Sequence, residues 1–209
     1  MTNGAAERRE YPAPDTDLPT RLVTAQPILR TLVQSAFDSA ANDDSPYGRA
    51  AHLHGRMQAI SCYDRAIAVE SGIDLELLVR DELRAFQFGY APGIMVEGPE
   101  VRLRPDTGRF VALALHELAT NSIKFGMLGR SGPDAALRVT WAFRNDGLEL
   151  AWQESGVAVL ATLPARRKGF GQTLIEDILP RHLGAASRFA LVPGGVECAI
   201  LLPAQTFGI

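Results

Sequence analysis

The stretch Ala114–Gly126 reads ALHELATNSIKFG, and everything else in the chain is easiest to place relative to it. On a helix Glu117 and Asn121 are four residues apart and Lys124 is three further on, so the three share one face. Val111, Leu115, Leu118 and Ile123 supply an apolar face, and the whole pattern predicts a helix from about Asp106 to Phe125. A buried carboxylate beside an amide and a lysine needs partners. Magnesium-bound phosphate would supply them, because Mg²⁺ takes only one or two protein oxygens and leaves its other positions to phosphate and water. Taken alone, the same stripe also suits the polar side of an ordinary core helix.

Downstream, Leu137, Val139, Trp141 and Phe143 alternate with polar or small residues, as a half-buried strand requires. Asn145-Asp146-Gly147 is a strong hairpin signal. Leu148, Leu150 and Trp152 alternate in the strand that follows. The segment ESGVAVLATLPARRKGFG has no period, and it carries Gly, Pro and the consecutive cations Arg166, Arg167 and Lys168. It is expected to be a long mobile loop. QTLIEDILPRHLG reads as a helix. The segments SRFALVP and VECAILLP read as strands joined at Gly194-Gly195.

Upstream, two short strands are expected around IMVEG and EVRLR, and DLELLVRDELRAF reads as a short helix. Before it lie two amphipathic segments, 18–42 and 46–69, separated by NDDSPYG. They read as an antiparallel helical hairpin, which either packs on the rest of the chain or pairs with a second copy into a four-helix bundle. The first 17 residues are polar and Pro-containing, and are expected to be disordered. The predicted organisation is α+β: a tail (1–17), a helical dimerisation-like region (18–90), and an α/β sandwich with a mixed sheet (91–209).

Composition narrows the function. The chain has 209 residues, 46% hydrophobic and 22% charged, with a net charge of -3, and is long enough to bury a substantial core. That balance does not favour nucleic acid, which calls for a basic face. No apolar run approaches the length of a membrane span, so a cytoplasmic protein is expected. Cys62 and Cys198 sit far apart in apolar segments and read as small core hydrophobes rather than as a metal or disulfide pair.

Two further clusters join the opening stretch. Lys168-Gly169-Phe170-Gly171 precedes a helix, where glycines let the backbone approach phosphate and the free N–H groups face it. Trp152-Gln153-Glu154-Ser155-Gly156 ends a strand, where a carboxylate would accept the exocyclic amine of adenine. Each has an ordinary reading by itself, a hinge in one case and a surface acid in the other.

In this order and spacing the three clusters resemble the ATP-binding domain of the GHKL superfamily. In particular they are similar to the HWE subfamily of bacterial sensor histidine kinases, named for a His in the N box and a Trp-x-Glu in the G1 box. HELATNSIKFG resembles the N box, and His116 and Trp152-x-Glu154 are both in place. GFGQTLIED resembles the G2 box, and GPEVRLRPD resembles the run into the N-box helix. HGRMQAISCYDRAI and DLELLVRDEL resemble the second dimerisation helix and its exit. The likeness spans roughly residues 46–205.

The resemblance implies ATP and Mg²⁺ as ligands. Asn121 would ligate Mg²⁺, and Glu117 would act as acid/base beside the reacting phosphoryl group. His116 and Lys124 would contact phosphates or steady the site. Glu154 would read adenine, with Gly156 in the turn after it, and Gly169 and Gly171 would let a lid close. A response regulator or a partner kinase would be the partner, with homodimerisation through the hairpin.

The sequence departs from the family in two places. Its histidines are His52, His54, His116 and His182, so none precedes residue 52. Alternative alignments put Thr16 or Leu22 in the phosphoacceptor slot, and neither can become a phosphohistidine. His52 or His54 would be a displaced acceptor, or else an ordinary helix-surface residue. In addition, Gly156 is followed by Val157 and Ala158, where the family has two glycines and a proline. Two alternatives to a kinase core follow. One is a non-catalytic adaptor or phosphatase that docks a response regulator. The other is a GHKL serine kinase of the anti-sigma-factor type, which needs no acceptor His.

Overall fold

The computed structural model describes Arg56 and residues 72–86, 88, 92–129, 134–157 and 169–208. The expected tail, the two hairpin helices (Arg56 excepted), His52, His54, Thr16, Leu22, Cys62 and the lid residues 158–168 lie outside the described residues. Within them the chain runs β1 (Ile73–Asp74), α1 (Leu75–Ala85), β2 (Ile94–Glu97), β3 (Arg102–Leu103) and α2 (Pro105–Phe125). A 3₁₀ turn (Met127–Gly129) leads to β4 (Ala136–Arg144) and β5 (Gly147–Ser155). A helical segment follows: α3 (Phe170–Thr173), a π turn (Leu174–Ile178) and α4 (Leu179–Leu183). It precedes β6 (Ala186–Val192), β7 (Gly195–Pro203), a 3₁₀ turn (Ala204–Thr206) and β8 (Phe207–Gly208).

The main sheet has the order β2-β4-β5-β7-β6. β2 runs parallel to β4 and the other pairs are antiparallel, so the sheet is mixed. The hairpin at Asn145-Asp146 pairs Arg144 with Gly147. A side chain at Gly147 would strike the Leu202 carbonyl on the neighbouring strand, so only glycine fits there. The alternation read from sequence is the buried face at Leu137, Val139 and Trp141 on β4 and at Leu148, Leu150 and Trp152 on β5, but Phe143, at the end of β4 beside the hairpin, is exposed. Cys198, Ile200 and Leu202 on β7 are buried as well. In register, Val139 lies beside Trp152 and Trp152 beside Cys198, giving a continuous apolar row across three strands.

α2 packs on this face. Pro105 at its start, Asp106 in its first turn and Lys124 in its last suit the helix dipole. It is buried almost all round from Thr107 to Ala119, a wider burial than one apolar stripe predicts. α1 supplies part of the reason. Its Leu75, Leu78, Val79 and Leu83 belong to the same buried cluster as Val111, Leu115 and Leu118. Asp74 caps α1 by accepting from Leu77 N–H at 2.9 Å.

Two features differ from the sequence reading. A small second sheet, β1-β3-β8, forms where only β3 was expected, and it ties the C-terminus to the start of α1. QTLIEDILPRHLG is not one regular helix. Leu179 N–H bonds Leu174 C=O, five residues back. Continued by one residue, that spacing would pair residue 180 with Ile175, but Pro180 has no N–H to give. The Ile175 carbonyl instead accepts from the Ser187 hydroxyl on β6.

Candidate functional site

Two motifs about fifty residues apart in sequence come into contact at one side of α2. Gly171 lies so close that a Cβ there would sit 3.0 Å from Glu117 Cβ, 3.2 Å from Asn121 Nδ2 and 3.4 Å from Glu117 Oε2. The absence of a side chain at Gly171 is therefore what admits the N-box-like carboxylate and amide beneath it. Gly169 is different: a Cβ there would meet nothing within 4 Å. Asn121 and Lys124 are exposed, whereas Glu117 is 6% exposed. An exposed side-chain amide beside a glycine backbone is compatible with a metal-bound phosphate, which asks for few protein oxygens.

Glu117 has a partner that the sequence reading missed. Arg56 is helical, 5% exposed, and bonds both carboxylate oxygens: Nε donates to Oε1 at 2.5 Å and Nη2 donates to Oε2 at 3.0 Å. Its guanidinium lies 4.3 Å over the Phe170 ring. Nothing in a helical period marks this arginine out, because its partner is 61 residues away.

His116 turns away from Glu117 and toward α1. Its Nδ1 lies 3.4 Å from Glu82 Oε2, and its ring centroid is 5.3 Å from that of Phe86. Both His116 and Glu82 are buried. These contacts tie His116 to α1. Glu82 was legible only as part of a helix.

At the other end of α2, Glu154 is buried beneath the turn that follows the helix. Its Oε2 accepts from Met127 N–H at 2.7 Å and its Oε1 accepts from Trp152 Nε1–H at 2.9 Å. Gly126 makes room for it, since a Cβ there would lie 2.1 Å from Oε2. Ser122 Oγ accepts from Leu128 N–H at 3.1 Å, so the turn is held from two sides. Gly156 has φ 72°, and a Cβ there would strike the Asp134 carbonyl at 2.2 Å. It is a glycine that the turn itself requires. Among the described residues, no three His, Cys, Asp or Glu side chains gather as they would to hold a metal ion, and none of the helices is long and apolar enough to cross a membrane.

On this geometry the comparisons with known proteins can be set. The chain is 30% identical over 155 residues to a blue-light-activated histidine kinase of Brucella ovis, covering 71% of this chain and 31% of the relative. It is 27% identical over 135 residues to blue-light-activated histidine kinase 1 of Erythrobacter litoralis, covering 64% of this chain and 37% of that one. The chain is homologous to part of the bacterial histidine kinases. It spans about a third of the length of the curated relatives it matches. No family model matches it. Among solved structures, its fold is similar to that of a blue-light-activated histidine kinase of Erythrobacter litoralis, with TM-score 0.68, 16% identity, and coverage of 97% of this chain and 63% of that one. The separate histidine kinase domain of that protein superposes with TM-score 0.59 at 15% identity, over 87% of this chain and 86% of that one.

Proposed function

We propose that this chain is an ATP-binding kinase core that acts in two-component signalling, in the cytoplasm, with a response regulator or a partner kinase as its protein partner. The observation that carries the reading is the contact between Gly171 and the Glu117/Asn121 pair. It brings together the two sequence elements that a Mg-ATP site needs: a backbone that phosphate can approach, and side chains for metal and proton.

In this reading Asn121 holds Mg²⁺, which neutralises phosphate charge when bound. Lys124, at the exposed end of the same helix, adds a cation near the phosphates. Glu117 takes the proton from the acceptor as the γ-phosphoryl group passes from ATP, leaving ADP. Positioning and charge neutralisation carry most of such a transfer. Glu154 organises the base end of the site through Trp152 and Met127, with Gly156 in the adjoining turn. The acceptor is a histidine of the front end, His52 or His54, or a side chain of the partner. A homodimer through the helical front end is part of the proposal.

Calorimetric titration with Mg-ATP tests the site. Binding by the wild-type chain and its loss in Asn121→Ala is the expected result. Unchanged binding in the variant would overturn the metal assignment.

A second reading is a docking adaptor or phosphatase that retains the fold. It is favoured by the alternative alignments, which put Thr16 or Leu22 rather than a His in the acceptor slot. Labelling with γ-³²P-ATP separates the two. Acid-labile label on this chain or on a receiver domain supports the kinase. Nucleotide binding without label on any protein, together with loss of phosphate from a phosphorylated receiver, supports the phosphatase. Acid-stable label would point to a serine kinase.

A further inference from the structure

We infer that Arg56 is a positioning residue for Glu117: it latches the carboxylate, and Glu117 can act on a proton only after the guanidinium withdraws. The inference rests on the reading of Glu117 as the acid/base of phosphoryl transfer.

Three observations converge on Arg56. First, its planar fork occupies both oxygens of Glu117 at once, at 2.5 Å and 3.0 Å. A base poised for an acceptor is usually oriented through one oxygen and works with the other; here the guanidinium engages both and leaves only their second lone pairs. Second, both partners are buried. A buried ion pair is costly to break from one side, so the latch does not fray as a surface pair does. Third, the guanidinium lies flat over Phe170, the residue next to Gly171. One side chain therefore touches both motifs that meet at the candidate ATP site. It comes from a sequence region other than either of them, the one that resembles a dimerisation helix.

Substitution by lysine separates a latch from a structural pair. Lysine keeps the positive charge, but it cannot bond both oxygens in a fork or stack as a plane. In the full-length chain, Arg56→Lys is expected to raise kcat for hydrolysis of Mg-ATP to ADP and phosphate, with water taking the phosphoryl group, by at least about threefold, because the active arrangement becomes more populated. KM for ATP is expected to stay within about twofold, since Arg56 acts through Glu117 rather than on the nucleotide. Phe170→Leu removes the stacking surface and leaves both charges in place. It should move kcat in the same direction by less, and it serves as the second variant if Arg56→Lys folds poorly by circular dichroism. Adding Glu117→Gln should erase the gain from Arg56→Lys.

Faster turnover in both folded variants, lost with Glu117→Gln, supports the latch. Turnover unchanged or slower in both overturns it and leaves the kinase reading intact. If the wild type and both variants bind Mg-ATP but form no ADP, the acid/base assignment of Glu117 and the latch fall together while the nucleotide site stands. If none of them binds nucleotide, the proposed function fails as well.

Discussion

Glu154 shows how one carboxylate can hold a site in shape. Its two oxygens serve two donors, Met127 N–H and Trp152 Nε1–H, and both donors are buried. Removing the carboxyl group leaves both unsatisfied, at about 1–3 kcal/mol each. Glu154→Ala should therefore lower stability by on the order of 3 kcal/mol in urea unfolding. Glu154→Gln keeps one acceptor oxygen and should cost roughly half as much. If Glu154 served the nucleotide alone, both variants would unfold like the wild type without ligand, and that result would remove the organising role. At Cys198 the chemistry is simpler. Burial, reinforced by the charge of Glu176, pushes the thiol up from 9.0 to about 12. The raised folded value means that its contribution to stability is full below pH 9.0 and is lost as pH rises from there through about 12. The thiolate is the reactive form, so in a Cys62→Ser background the folded protein should resist a maleimide at pH 8 and react after denaturation. Prompt labelling of the folded chain would contradict the burial.

At the scale of elements, the π turn is a local irregularity with an identifiable cause. Pro180 withholds the N–H that Ile175 C=O would receive, and Ser187 supplies a hydroxyl from β6 instead. Ser187→Ala should cost about 1 kcal/mol, the net worth of one such bond. In a Pro180→Ala background the loss should shrink, because a backbone N–H becomes available for the orphaned carbonyl. Equal losses in the two backgrounds, read by a double-mutant cycle in urea, would show that Ser187 and Pro180 act independently.

The same comparison shows what was legible in sequence. Elements with a clean period were readable, namely α1, α2 and the β4–β5 and β6–β7 hairpins, because alternation or helical spacing reports directly on which side is buried. β1 and β8 were missed because each has two residues, too few to show any period. The π turn was missed although Pro180 stands in the sequence, because the donor that replaces its N–H, Ser187, lies on β6. Of the candidate site, the meeting of Gly171 with Glu117 and Asn121 followed from resemblance to a family. Arg56 and Glu82 did not, since each acquires its role only through a partner distant in sequence.

At the scale of the molecule, the buried apolar cluster of the described residues runs from Ile73 on β1 to Leu202 on β7. Arg56 enters as a charge, not as a core residue. Residues 72–209 should therefore fold by themselves, with one cooperative urea transition. In that fragment Glu117 loses the guanidinium, and water can reach it where Arg56 had covered it. Glu117→Gln should then cost little, within about 0.5 kcal/mol, as at a solvated site. In the full chain the same substitution leaves a buried guanidinium with an uncharged partner and should cost several times more, on the order of 2 kcal/mol. The difference between the two costs measures how strongly the front end is tied to the catalytic face through this one pair. Equal costs in fragment and full chain would mean that Arg56 contributes nothing to that tie, and that the two regions are joined by other contacts.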